Sequence, residues 1–263
     1  MAYARTTLAS LVLLPAAAMA AGVQPWRDSP ESMPIAAAVA NAPAAAARPS
    51  SDAVGDLRPA RGIDVSHYQG RIDWQAVEAE GIGFAYMKAT EGATFTDPTF
   101  RRNWAAAGET RIVRGAYHRF RASRDGAAQA SHFLAVVSLR GGDLPPVLDV
   151  ESTDGVSDAR LVRGVRAWLA EVERRTGKRP IVYTKPGFRR AHLGRSLDDY
   201  PLWIAEYGVD SPSVDPWHFW QHSERGRVAG IDRAVDLDSF NGSPAELRSL
   251  AAGRATEGAV AAR

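Results

Sequence analysis

The chain has 263 residues, a hydrophobic fraction of 45%, a charged fraction of 24% and a formal net charge of +2. That length allows one large domain or two small ones, and so small a charge excess gives no electrostatic steering toward nucleic acid. With no cysteine in the chain, disulfides, thiolate-based zinc sites and a cysteine-linked lipid anchor are excluded.

The chain opens with MAYARTTLASLVLLPAAAMAAG. Arg5 supplies a positive start, Leu8 to Leu14 a short apolar stretch, and Ala18-Met19-Ala20 a small-x-small cleavage pattern. This predicts a signal peptide over 1–20, too short to be a transmembrane helix. The expected location is secreted or periplasmic, with no stable membrane anchor. Residues 21–57 are rich in Ala, Pro and Ser, and Pro25, Pro30, Pro34, Pro43 and Pro49 interrupt any helix. A flexible spacer is expected there. One folded domain over 58–248 and a disordered tail over 249–263 complete the expected organisation.

Inside the domain, strand-type and helix-type runs alternate. Strands are expected at 61–66, 84–90, 113–120, 145–151, 180–184, 202–207, 218–223 and 235–240. Helices are expected at 72–81, 100–109, 125–139 and 159–177, the last closed by Gly177. Alternation at this spacing argues for parallel strands joined by crossover helices. The helices run out in the later part, so the simplest closure is a βα barrel that finishes with strands.

Active sites of βα barrels lie at the C-terminal ends of the strands. Asp64, Glu91, Tyr117, Asp149, Glu151, Tyr183, Trp203, Gln221 and Asp236 all fall near such ends. In LPPVLDVESTDG, Asp149 and Glu151 are separated by one residue. Residues i and i+2 of a strand share a face, with Cα atoms roughly 6.6 Å apart. Both carboxylates are therefore expected to face the barrel mouth, with Val150 facing the helices. Like charges at that range couple, and one pKa tends to rise. A carboxyl that keeps its proton near neutral pH suits protonation of a glycosidic leaving group, and a charged neighbour suits the cation that develops at the sugar carbon.

The segments RGIDVSHYQGRIDW, YMKATEGATFTDPTF, GAYHRF, LPPVLDVES, VYT, PLWIAEY, FWQ and VDLDSF occur in the order seen in glycoside hydrolase family 25. The chain resembles these lysozyme-like N,O-diacetylmuramidases from about Arg61 to Phe240. The resemblance implies an α/β fold, a modified TIM-like barrel with eight strands and fewer helices. It implies hydrolysis of the β-1,4 bond between N-acetylmuramic acid and N-acetylglucosamine in peptidoglycan. It makes Glu151 the proton donor and Asp149 its assistant, orienting the substrate's N-acetyl group. It adds Asp64 and Asp236 to the catalytic set, and Tyr117, Tyr183, Trp203 and Gln221 to the groove. No cofactor and no metal are expected, and a monomer is the default.

Plainer readings stand beside these. Asp64 has a capping role as its alternative, and His67 and His118 a scaffolding role. Trp203 and Trp220 also suit a barrel core. Glu91, assigned to substrate binding, has an ion pair with Lys88 as its alternative, and Asp238 competes with Asp236. A catalytically silent peptidoglycan-binding barrel and a chitinase-like hydrolase are the competing functions. A metal-dependent deacetylase ranks last.

Overall fold

The structure is a computed structural model that describes residues 58–253. The expectations for 1–57 lie outside the described residues. Nine strands form the sheet: β1 (Arg61–Val65), β2 (Phe84–Glu91), β3 (Phe95–Thr96), β4 (Val113–Arg119), β5 (Val147–Asp149), β6 (Ile181–Thr184), β7 (Leu202–Ala205), β8 (Phe219–Gly226) and β9 (Val235–Phe240). Eight of them close a barrel in the order β1-β2-β4-β5-β6-β7-β8-β9, with β1 pairing both β2 and β9. β3 only extends the far end of β2 as a short antiparallel arm. Neighbours from β1 to β8 run parallel, whereas β9 runs antiparallel to both β8 and β1.

Helices α1 (Trp74–Ala79), α2 (Phe100–Ala107), α3 (Gly126–Val136) and α4 (Asp158–Thr176) fill the first four crossovers. The β6–β7 connection holds only a short helical turn, α5 (Pro186–Phe188), and a π-type segment, Arg189–Leu193. No helix separates β7, β8 and β9. The barrel therefore has fewer helices than strands. Apolar periodicity explains the longest helix: Leu161, Val165, Trp168, Leu169 and Val172 form the buried face of α4. Gly177 ends it in the left-handed conformation at φ 67°.

Two apolar layers result. Between sheet and helices lie Val65, Met87, Leu148, Val150, Val165 and Trp168, among others. Inside the barrel the packing is largely aromatic, with Phe84, Tyr86, Trp203, Phe219 and Phe240 in mutual contact. Glycine on the neighbouring strands makes room for these rings. A Cβ on Gly62 would come within 2.2 Å of the Phe84 ring, and one on Gly115 within 2.2 Å of Tyr86.

Several expected boundaries move. The strand expected over 145–151 is regular only at Val147–Asp149, because Pro145 and Pro146 have no N–H for a ladder. The helix expected over 125–139 ends at Val136. The domain does not stop at 248. Helix α6 (Pro244–Ala251) continues past that point, started by a Ser243/Glu246 capping box. Its Leu247 and Ala251 are buried in the barrel-interior layer, and Lys178 Nζ donates to the Ala251 carbonyl at 2.6 Å. Short polar and alanine-rich composition made 249–251 look like tail; burial against the barrel orders it.

Candidate active site

The site is built from strand ends. β1 carries Asp64, and β4 carries Tyr117 and Arg119 at alternating, inward positions. β5 ends on Asp149, and Glu151 follows two residues later. Val150 N–H still bonds the Tyr183 carbonyl at 2.9 Å, so strand-like alternation persists through Glu151. Asp149 and Glu151 line one cavity, while Val150 packs in the layer beneath the helices. β9 runs the opposite way, so its first residues reach the mouth. Asp236 therefore stands opposite Asp64, and Asp238 lies one step deeper, opposite Gly62.

The cavity holds about 210 Å³. Asp64, Tyr117, Asp149, Glu151, Tyr183, Trp203, Gln221 and Asp236 all line it, together with Arg119, Lys185, Tyr207 and Glu224. Trp203 does so from below: it is 1% exposed and wedged among Tyr86, Tyr183 and Phe219. Glu91 is not among the lining residues. It pairs with Lys88 at 2.6 Å and with Arg121, and these cations lower its pKa although partial burial works the other way. Lys88 and Arg121 thus hold the Glu91 carboxylate, the ion-paired alternative, beside its expected role toward substrate. His118 is fully buried, held by Thr90 and Gln129 and stacked on Trp168, and burial drops its pKa to about 3. It is scaffold. His67 pairs with Asp97 at 2.7 Å.

Gln221 organises one wall. Its carbonyl oxygen accepts from the Tyr183 hydroxyl at 2.9 Å and the Tyr207 hydroxyl at 2.5 Å. Its amide nitrogen donates to Asp64 Oδ2 at 2.5 Å. Two hydroxyl donors on the oxygen fix which way the amide points.

On the opposite wall, Arg119 Nη1 donates to Asp149 Oδ2 at 3.2 Å and to Glu151 Oε2. Lys185 Nζ lies 3.5 Å from Glu151 Oε1. Burial pushes the Asp149 carboxyl up to about 7, and the Glu151 charge adds to it, against the pull of Arg119. Burial and Glu224 push Asp236 up to about 6. Asp64 rises well above the carboxylate range through burial and the facing Asp236, and Asp238 through burial and the charges of Asp64 and Asp236. Carboxyls whose pKa is raised thus share the cavity with one that touches Arg119 and Lys185, a mix of environments on which acid/base chemistry draws. Among the described residues no cluster of His, Cys, Asp or Glu has the arrangement of a metal site.

Arg119, Lys185, Tyr207 and Glu224 line the cavity outside the set of site residues read from the sequence. The signal for Arg119 was its period-two relation to Tyr117 in GAYHRF. Lys185 follows Thr184 directly, past the end of β6, and carried no pattern of its own.

A closed βα barrel with paired carboxylates at its strand ends is the layout of a carboxylate-dependent glycoside hydrolase. Residues 63–231 match the model of the glycosyl hydrolases family 25. The chain is 45% identical over 199 residues to the uncharacterized protein YegX of Escherichia coli, covering 73% of each chain. It is 36% identical over 217 residues to lysozyme M1 of Streptomyces globisporus, covering 74% of this chain and 72% of that one. Among solved structures, the bacterial lysozyme of Streptomyces coelicolor superposes with a TM-score of 0.72 at 36% identity, over 76% of this chain and all of that one. The chain belongs to glycosyl hydrolase family 25, and it is a glycoside hydrolase.

Proposed function

We propose that this enzyme cleaves the β-1,4 bond between N-acetylmuramic acid and N-acetylglucosamine in peptidoglycan, as a muramidase outside the cytoplasm. The observation that carries the reading is the Asp149/Glu151 pair: two carboxyls on one face of the β5 end, in one cavity, joined by Arg119. Relatives named as lysozyme and as N,O-diacetylmuramidase support the substrate class. The charge-apolar-small pattern over 1–20 supports export. The enzyme acts as a monomer without a membrane anchor.

In this reading Glu151 delivers a proton to the oxygen that leaves. Asp149 holds the substrate's N-acetyl group in line and stabilises the charge that develops beside it. The proton belongs to the pair as a unit, because the two carboxyls couple. Asp64 and Asp236 close the other side of the cleft, and the Gln221 network holds Asp64 in place. Tyr117 and Tyr183 line the cavity, and Tyr68, Phe95 and Tyr207 are exposed on the segments that follow β1, β2 and β7. Aromatic faces of this kind stack on the apolar faces of sugar rings.

The test is product analysis. The full chain is incubated with purified peptidoglycan, and the new ends are reduced with borohydride and identified by mass spectrometry. Reduced N-acetylmuramic acid ends, absent with Glu151→Gln, support the reading. Reduced N-acetylglucosamine ends would place the cut at the other bond. Tight binding to sacculi without product would make the barrel a binding module.

A further inference from the structure

We propose that Arg119 is a positioning residue of the cleft: it ties Asp149 and Glu151 into one bridged unit and, through them, governs the pH range over which the enzyme works. The inference rests on the muramidase reading and deepens it.

The geometry is specific. A single guanidinium nitrogen, Nη1, serves both carboxyls, with Asp149 Oδ2 at 3.2 Å, Asp149 Oδ1 at 3.4 Å and Glu151 Oε2 in direct contact. The backbone aims it there. Arg119 is the register partner of Asp149 in the parallel β4–β5 pair, and the next N–H, of Phe120, bonds the Asp149 carbonyl at 2.9 Å. Arg119 is therefore carried on the strand that neighbours its targets, not on a loop. Lys185 also approaches Glu151, but its side chain is 51% exposed against 28% for Arg119. Exposure to water weakens its hold.

The other charged groups around the pair pull in both directions. Asp64 from β1, Asp236 from β9 and Glu224 from β8 line the same cavity and favour protonation of the pair. Lys88 on β2 acts on Asp149 in the opposite sense. Tyr117, Tyr183 and Tyr207 are kept neutral by burial and by the nearby acids, so they add no charge near pH 7. Arg119 is the cation in contact with both members of the pair. A cation beside a carboxylate favours its charged form. It therefore lowers the pH at which the pair gives up its proton, and it holds the two oxygen sets in one geometry.

The experiment compares kcat/KM against pH for the full-length wild type, Arg119→Gln and Arg119→Lys on solubilised peptidoglycan, with circular dichroism as the fold check. Arg119→Gln should move the alkaline limb of the profile up by about one pH unit, as loss of an adjacent opposite charge predicts. Its kcat should fall at least about tenfold, because orientation of the reacting groups is lost. KM should change little. Arg119→Lys, which restores the charge, should bring the limb back. Should the amide variant fail to fold, Arg119→Met keeps the apolar stem and is read the same way. An unmoved limb in a folded variant overturns the proposal, and so does a rise in KM with kcat unchanged, which would make Arg119 a substrate contact. Wild type that releases no sugar ends would instead sink the muramidase reading.

Discussion

Asp64 and Asp236 stand directly across from each other on the antiparallel pair β1 and β9, at the mouth of the barrel. Like charges directly opposite in a sheet destabilise it. Here the chain holds them there with Asp238 buried beneath, and the consequence is proton uptake. Asp236 rises to about 6 and Asp149 to about 7, both chiefly through burial, and Asp64 and Asp238 rise well above their ordinary value of 3.8.

A pH dependence of stability follows. Between about pH 4 and pH 7 these four carboxyls bind more protons in the native state than in the unfolded one, so their contribution to stability falls as pH rises, while the buried neutral His118 contributes in the opposite sense. The contribution is fully present below the unfolded value of 3.8 and is lost as pH passes the raised native values. Calorimetric melts of wild type and Asp64→Asn at pH 5 and pH 8 isolate the carboxyl contribution. Asp64→Asn should raise Tm relative to wild type more at pH 8 than at pH 5, because it removes a buried carboxyl that rising pH would charge, while an amide oxygen still accepts from Gln221. An equal Tm difference between the two proteins at both pH values would contradict the account.

Glu151→Gln keeps the shape and removes the exchangeable proton. Turnover on peptidoglycan should fall by roughly 10²–10⁴, the usual share of a general acid, with an unchanged circular dichroism spectrum. Reducing-end release measures it, and wild-type activity in the variant would move the acid role elsewhere.

Glu91 provides the contrast. Its partners are Lys88 and Arg121, not the cavity. Glu91→Gln should change kcat/KM by no more than about twofold, the scale of a substitution away from a site. A large loss would place it in the substrate groove. Steady-state kinetics on the same peptidoglycan preparation decides between the two.

The α3–α4 contact depends on a missing side chain. A Cβ on Gly126 would sit 2.1 Å from the Gly164 carbonyl oxygen, which is backbone and has no rotamer to yield, whereas one on Gly164 would meet the Phe120 ring at 3.1 Å. Gly126→Ala should destabilise by about 1–3 kcal/mol, as overpacking does, and by more than Gly164→Ala. Urea denaturation of both variants tests the order.

The cleft was only partly legible in the residue string. The period of two in VLDVE places Asp149, Val150 and Glu151 on alternating faces, and the structure has them so. Asp64, Tyr117, Tyr183, Gln221 and Asp236 likewise sit at strand ends that hydrophobic runs and turns announce. Local pattern leaves open which neighbour a side chain takes. Glu91 follows a strand like the others, yet two cations claim it. Arg119 shares the alternation of Tyr117, but nothing local says that its guanidinium reaches across to β5. No helix was expected over Pro244–Ala251, and the domain end was placed at 248, because the order of this segment comes from burial against the barrel.

Local periodicity, caps and turn residues act over a few residues, so the sequence by itself determined the alternation of elements, the barrel class and which face each strand-end carboxyl would take. Protonation and pairing depend on distance and burial between segments far apart in the chain: Asp64 and Asp236 oppose each other only because β9 closes the barrel against β1, and Arg119 meets Asp149 only through the β4–β5 register. Those quantities exist only once water has been excluded and the strands are in register, and the tertiary structure alone decides them.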